Sequence, residues 1–569
     1  MGYLDGVIVT KRQTLIRIIA PLAIILILIS ACEPLAQPFE PTATLPETAI
    51  PTETPEPTPI PATPTATEQP VRIWFDPALP NELLQGEMSN FVSRYSGSKE
   101  EASLQLTFSL ENDLSQLVFA LVAPFATVQD SVTTQEFLDF WQNGAAFQVT
   151  ELVMDDKTLA AFRSLYGEPL GKVGLKSADE ILDYSTEKGD AWAIVPFEQI
   201  ESKWKVIAID AQSPLDKNFD PANYPLRIGI GLLDGENTQT DHEALDRVTT
   251  ELKSVMPENN RDESKLTTVI LTGVTALTRA TAKEMEIYGI LSPAESIGEV
   301  MRNADIAHVS NEVPFASDCP EPQWVQEVDL VFCSDDRYLD LLKEIGTDVV
   351  ELTGDHFRDW GPDAMLHTLE MYDSEGWSWY GGGKDIEEAK APLKLEHNGN
   401  KIAFIGCNAK APGYATASET NPGAYHCDTD YMVSAIQELR TEGYLVIATF
   451  QHQEIYVWQP EPNMLSDFRQ LAEAGATVVS GSQAHQPHIY EFWADSFIHY
   501  GLGNLFFDQL GWYDDSDKAF IDRHVFYDGK YLGVELLTAQ FFNWSTPTWM
   551  TPEARTELLS RLFQYSQTD

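Results

Sequence analysis

Basic residues are scarce in this chain. Its 569 residues include 37 lysines and arginines against 87 aspartates and glutamates, so the formal net charge is −50 at pH 7. An acidic surface repels phosphates, so the composition argues against nucleic acid and anionic lipid headgroups as partners. A hydrophobic content of 43% with 11% aromatic residues supports cores for roughly two to four domains.

Several common catalytic signatures are also missing. No Gly-Lys-Ser or Gly-Lys-Thr loop occurs, which argues against a phosphate-cradling P-loop. Ser480 and Ser482 lack a Gly-x-Ser-x-Gly turn, which argues against a serine hydrolase. No Cys-x-x-Cys spacing supports a structural zinc site.

The N-terminal region, residues 1–32, has the pattern of a secretion signal. Basic residues precede the apolar run Ile18–Ile29, and Ser30-Ala31-Cys32 follows it. Small residues before a cysteine resemble the bacterial lipobox, so we predict that Cys32 becomes the lipid-modified first residue. The alternative is an uncleaved N-terminal anchor. Either outcome predicts an extracytoplasmic protein tethered to the membrane.

Cysteine is rare, with five residues in all. Without Cys32, four remain, and four cysteines in an exported chain allow three pairings. The shortest loops are closed by Cys319 with Cys333 and by Cys407 with Cys427, and we predict these two disulfides. Buried free thiols are the alternative.

The remaining chain divides by composition and hydrophobic pattern into an α/β protein with two globular domains. The first domain resembles periplasmic binding proteins in its order of elements, although an unrelated α/β domain fits the same pattern. The predicted segments are a signal peptide (1–32), a Pro/Thr-rich disordered stalk (33–70), the binding-protein-like domain (71–234), a connector (235–264), a second α/β domain (265–545) and a C-terminal helix (546–569).

Metal-ligand residue types follow four apolar runs of the second domain. Where parallel strands end at one sheet edge, such side chains can converge on one or two metal ions. Taken alone, His485 and its neighbour His488 also fit loop histidines bonded to backbone carbonyls. The four groups are Asn311-Glu312, Asp355-His356 with Asp359, His452 with Glu454, and His485.

Several of these segments resemble the CapA family of capsule and poly-γ-glutamate synthesis proteins, with its calcineurin-like metallophosphatase fold. The resemblance covers about 266–541. Its motifs are Ser310-Asn311-Glu312, Gly354-Asp355-His356 continuing to Asp359 and Gly361, the glycine turn Gly381–Gly383, the strand Lys401–Gly406 and the closing segment Gly501–Gln509.

Three departures from the family pattern bear on activity. Val274 follows Gly273 where the family has an aspartate, and a valine cannot bind a metal. Gln483 and Ala484 precede His485 where the family has a further histidine. Phe450 stands where the family has a histidine, with His452 two residues later. A standard two-metal site is therefore incomplete.

The resemblance implies a metal site reduced to one divalent ion, Mn, Fe or Zn, or to none. Candidate ligands are Asp355, His485, His452 and Asn311. His356 would protonate the leaving group or steady the developing anion, and Asp359 would orient His356. Candidate bases or supporting groups are Glu312 and Glu454.

Two functions remain open from the sequence. The first is a surface lipoprotein that hydrolyses a phosphoester or γ-glutamyl amide in capsule or poly-γ-glutamate synthesis. The second is a non-catalytic polymer-binding or assembly protein with a degenerate metallophosphatase fold. The expected partners are an anionic exopolymer or its precursor, the membrane through the lipid anchor, and other capsule-export proteins, with no nucleic acid.

Overall fold

The computed structural model describes residues 70–109, 113–237, 242–326, 330–410, 413, 415–482 and 484–567. The predicted signal peptide, lipidated Cys32 and most of the stalk lie outside these residues. The described residues fall within one unit, Glu68–Asp569.

The N-terminal part is built on a mixed nine-stranded sheet. The sheet order is β1-β2-β9-β3-β7-β5-β6, with β8 pairing β3 and β4. The strand β3 lies in the middle of this order, and its apolar run is buried almost throughout. The strands are β1 (Ile73–Phe75), β2 (Leu104–Ser109), β3 (Ser115–Pro124), β4 (Ser131–Val132), β5 (Glu151–Met154), β6 (Val173–Leu175), β7 (Ala191–Pro196), β8 (Trp204–Ile209) and β9 (Arg227–Asp234).

The second part contains two further large sheets. The central sheet has the order β14-β13-β12-β10-β24-β25-β26, with β11 joining β12 to β23. Its strands are β10 (Leu266–Thr272), β11 (Val274–Thr275), β12 (Ile306–Asn311), β13 (Val349–Glu351), β14 (Ser378–Tyr380), β23 (Asn504–Phe506), β24 (Lys518–Tyr527), β25 (Lys530–Phe541) and β26 (Pro547–Trp549).

The other large sheet, here called the distal sheet, has the order β16-β17-β19-β20-β22-β21, and a small ribbon pairs β15 with β18. These strands are β15 (Gly382–Gly383), β16 (Leu393–His397), β17 (Asn400–Asn408), β18 (Gly423–Ala424), β19 (Leu445–Gln451), β20 (Val478–Gly481), β21 (Tyr490–Trp493) and β22 (Ser496–His499).

Helices cover the sheets. Glycines end several of them, as Gly144 does for α2 with a φ of 65°, a left-handed backbone that favours glycine. The helices are α1 (Glu87–Tyr95), α2 (Thr134–Asn143), α3 (Asp156–Tyr166), α4 (Ile181–Lys188), α5 (His242–Val255), α6 (Arg279–Tyr288), α7 (Gly298–Asn303), α8 (Leu339–Glu344), α9 (Pro362–Glu375), α10 (Ile386–Lys390), α11 (Thr429–Thr441), α12 (Pro462–Glu473) and α13 (Pro552–Ser566).

The second part is a four-layer sandwich. Val269 and Leu271 of the central sheet share one buried cluster with Phe404 and Ile447 of the distal sheet. Helices α6 to α9 pack on the outer face of the central sheet, and α11 and α12 on the outer face of the distal sheet. The expected α/β class and the sandwich are therefore confirmed.

The two predicted disulfides are present, Cys319–Cys333 and Cys407–Cys427. The predicted connector contains α5, whose Val248 and Leu252 are buried in the N-terminal core. In the part of the chain that the structure describes, no helix is long and apolar enough to cross a membrane.

Candidate metal centre

The candidate site lies where the parallel strands of the two sandwiched sheets end. In the central sheet, Ser310 of β12 pairs with Glu351 of β13. In the distal sheet, Asn408 of β17 pairs with Gln451 of β19. Because parallel strands share a direction, their carboxyl ends meet at one edge, which is where α/β proteins place functional side chains.

Three potential metal ligands cluster at this edge. Glu312 follows β12, and Asp355 and His356 follow β13. One ligand atom from each of these three residues lies within 4.8 Å of the others. Glu312 is buried, while Asp355 and His356 are partly exposed. These three residues follow two of the four strands whose ends are predicted to converge.

A lysine that follows β17 completes the cluster. Lys410 Nζ lies 2.7 Å from Asp355 Oδ2 and 2.7 Å from Glu454 Oε1. On the other side, the Gln451 amide donates to Asp355 Oδ1 at 2.7 Å and to Glu312 Oε1 at 3.3 Å. Both oxygens of Asp355 are therefore held by donors.

His356 contacts the buried carboxylate of Asp359, the residue expected to orient it. His356 Nδ1 lies 2.7 Å from Asp359 Oδ2, and the Phe332 backbone N–H donates to the same oxygen at 2.8 Å. The Phe332 ring packs against the imidazole with a centroid distance of 4.7 Å. These contacts fix the ring and leave Nε2 as the nitrogen for a ligand or a substrate.

His485 lies on the far side of Glu454. Its Nδ1 is 2.8 Å from Asn504 Oδ1, and its Nε2 is 3.9 Å from Glu454 Oε2. The Tyr456 hydroxyl donates to the same Glu454 oxygen at 2.7 Å. Glu454 thus joins His485 to Lys410, although His485 is outside the group of three ligands.

Burial and charge shift the acid–base behaviour of the site. Burial raises the pKa of Glu312 to about 7. Burial lowers the pKa of His356, but the hydrogen bond to Asp359 and the charge of Glu312 outweigh it and raise that pKa to about 9. Without a metal, His356 is therefore cationic at neutral pH, and Glu312 titrates there.

The carboxylates of Asp355 and Glu454, which are partly exposed, stay ionised. Burial raises the pKa of Asp355, but Lys410 and His356 outweigh it and hold the pKa below its usual value. For Glu454, the charges of His485 and Lys410 likewise outweigh burial and lower the pKa. Both carboxylates are thus anionic beside the lysine ammonium at neutral pH.

Two predicted ligands have other partners. The Asn311 amide donates to the Val313 carbonyl and to the Tyr372 hydroxyl. His452 Nε2 lies 3.0 Å from Asp467 Oδ2 of α12. Asn311 and His452 therefore lie outside the three-ligand group.

The residues at the three positions that depart from the family pattern have different surroundings. Val274 is buried in a small apolar cluster with Ala276, Val313 and Phe507. Phe450 packs against Phe468 with a ring-centroid distance of 4.7 Å. Gln483 lies outside the described residues.

The residues present fit one divalent ion. Two carboxylates and an imidazole are a donor set for manganese, iron or zinc. The contact between His356 and Asp359 is the carboxylate–histidine pair that commonly supports a metal-bound imidazole. Binding at His356 would displace the proton that it carries at neutral pH.

The fold and site define an α/β sandwich protein with a carboxylate–histidine group suited to a divalent metal. Comparison with known proteins then gives a family: residues 259–509 match the model described as "Bacterial capsule synthesis protein PGA_cap". The C-terminal part of the chain is therefore similar to this family.

Two curated relatives are each similar to part of the chain. "Capsule biosynthesis protein CapA" of Bacillus anthracis is 22% identical over 277 residues, which cover 48% of this chain and 67% of the relative. "PGA biosynthesis protein CapA" of Bacillus subtilis (strain 168) is 27% identical over 190 residues, which cover 32% of this chain and 49% of the relative. The chain thus spans from half to two thirds of these relatives.

A solved structure, a 5'-nucleotidase precursor from Thermus thermophilus, is similar with a TM-score of 0.31 and 13% identity. The likeness covers 53% of this chain and 58% of the nucleotidase. A score this low supports no conclusion about activity.

Proposed function

We propose that this protein acts in the synthesis of capsule or poly-γ-glutamate exopolymer as a metal-dependent hydrolase at the cell surface. The observation that carries the proposal is the grouping of Glu312, Asp355 and His356, within 4.8 Å, inside the segment that matches the capsule synthesis family. The bond cleaved would be a phosphoester or a γ-glutamyl amide of the polymer or its precursor.

The division of roles follows from the contacts. A divalent ion held by Glu312, Asp355 and His356 would act as a Lewis acid on the scissile group and on water. Asp359 keeps the His356 ring in place. Lys410 and Gln451 hold the Asp355 carboxylate between them and orient it.

The location is part of the same proposal. A lipid on Cys32 would hold the chain on the outer face of the membrane, and other capsule-export proteins would be its neighbours. The two disulfides support folding in an oxidising compartment.

The test is hydrolysis by the purified full-length chain with manganese, iron or zinc. The substrates are p-nitrophenyl phosphate, a γ-glutamyl p-nitroanilide and poly-γ-glutamate. We expect Asp355→Asn and His356→Gln to lower the rate by about 10²-fold or more. The matched control, Asp430→Asn, changes an exposed aspartate in α11 and should keep the wild-type rate.

A non-catalytic polymer-binding or assembly role is the second candidate. It is favoured by Val274, an apolar side chain only 1% exposed just after β10, where a carboxylate would be needed to bind a metal. This role predicts no hydrolysis with any of the three metals, and polymer binding that survives Asp355→Asn.

A further inference from the structure

The ammonium of Lys410 occupies the position between two carboxylates that a cation would otherwise take. Its Nζ lies 2.7 Å from Asp355 Oδ2 and 2.7 Å from Glu454 Oε1. The side chains of all three residues are at most 31% exposed. Carboxylates this enclosed need a counter-ion, because loss of solvation otherwise disfavours their charge.

The chain holds Lys410 in place from several directions. Its backbone N–H donates to Asn408 Oδ1 at 2.9 Å, which fixes the turn that follows β17. The Asn408 amide in turn donates to the Thr353 carbonyl at 2.8 Å and to Gln451 Oε1 at 2.6 Å. The lysine is thus anchored to the ends of both sheets, and its charge is positioned before any ligand arrives.

We propose that Lys410 is a built-in cation that limits the site to one divalent ion. The ion would bind beside Glu312, Asp355 and His356, while the ammonium excludes a second ion from the space between Asp355 and Glu454. In two-metal hydrolases the ions lie about 3.5–4 Å apart and share ligands, and Asp355 is the residue that both positions would share here. This inference rests on the proposed metal-dependent function.

A second ion would have ligands if the ammonium were removed. Asp355 Oδ2 and Glu454 Oε1 would lose their shared donor. His485 Nε2, 3.9 Å from the other Glu454 oxygen, is the nearby imidazole. Lys410→Met keeps most of the length and the apolar stem of the side chain but removes the charge.

The experiment is metal counting on the full-length chain with Mn²⁺ as the probe. Wild type, Lys410→Met and Lys410→Arg are equilibrated with Mn²⁺, separated from free ion by gel filtration and measured by elemental analysis. We expect about one equivalent in wild type and in Lys410→Arg, and about two in Lys410→Met. Lys384→Met is the matched control, because Lys384 is 65% exposed and pairs only with Glu388 in α10 among the ion pairs of the described residues. Lys384→Met should bind the same number of Mn²⁺ equivalents as wild type.

Folding is followed separately. Lys410→Met should have a lower melting temperature than wild type without metal, since two carboxylates lose their counter-ion, and Mn²⁺ should raise it by more than it raises that of wild type. Two equivalents in wild type, or one in a folded Lys410→Met, would overturn the proposal and leave the metal-dependent function standing. No Mn²⁺ in any variant would overturn both.

Discussion

At the scale of single residues, Asp359 is the group whose effect on the site is easiest to isolate. It contacts His356 Nδ1 at 2.7 Å. We expect Asp359→Asn to weaken Mn²⁺ binding about 10- to 100-fold, because an amide orients the imidazole less firmly and makes it a poorer ligand. Calorimetric titration measures this. Asp363→Asn, an exposed change in the first turn of α9, should leave the affinity unchanged, and an equal loss in both variants would refute the role of Asp359.

Part of this cluster could be predicted from the sequence, and strand geometry explains the rest. Successive residues at a strand end point to opposite sides. Glu312 and Gln451 therefore reach the cluster, while their neighbours Asn311 and His452 contact Tyr372 and Asp467. Pattern alone does not say which of two adjacent polar residues faces inward. Lys410 was missed because lysines in loops are usually solvated, although its position just after a buried strand was a usable signal.

At the scale of elements, strand β24 carries a buried histidine that makes stability depend on pH. Burial lowers the pKa of His524 to about 4, against about 6.5 in an unfolded chain. The unfolded state therefore binds a proton first as the pH falls, and stability present above pH 6.5 is lost progressively down to about pH 4. The loss from this one residue is about 3 kcal/mol.

The variant His524→Asn tests this linkage. His524 Nδ1 lies 2.9 Å from the Tyr531 hydroxyl, and an asparagine amide can keep that contact without titrating. Denaturant unfolding at pH 7 and pH 4.5 should show a smaller loss of stability than in wild type. His242→Asn at the exposed start of α5 should lose as much as wild type. A wild-type-like loss in His524→Asn would show that another group causes the pH dependence.

The elements themselves followed from hydrophobic pattern more readily than their pairing did. For example, the hydrophobic pattern alone indicates a strand at 445–450 and a helix at 431–442, and these segments correspond to β19 and α11. The pairing of β24 with β10, which adds the antiparallel hairpin of β24 and β25 to the central sheet, was not predicted, because it joins residues far apart in the chain.

At the scale of the whole molecule, the net charge of −50 should affect the rate at which the protein associates with the proposed charged polymer. Poly-γ-glutamate carries the same sign, so association should speed up as salt screens the repulsion. Stopped-flow measurements from about 0.02 to 0.5 M NaCl check this. Polylysine is the opposite control and should associate more slowly as salt rises. A fall with salt for poly-γ-glutamate would indicate a cationic surface that overrides the net charge.

Lys410 lies inside the segment that the Cys407–Cys427 disulfide closes. Cys407 is on β17, so the covalent link ties the loop that presents the ammonium to the edge of the distal sheet. In a reducing cytoplasm, Cys407 and Cys427 would remain thiols, and the loop would lack this covalent link. Under the proposed export, the charge balance around Asp355 and Glu454 would be complete only after this disulfide has formed outside the cytoplasm.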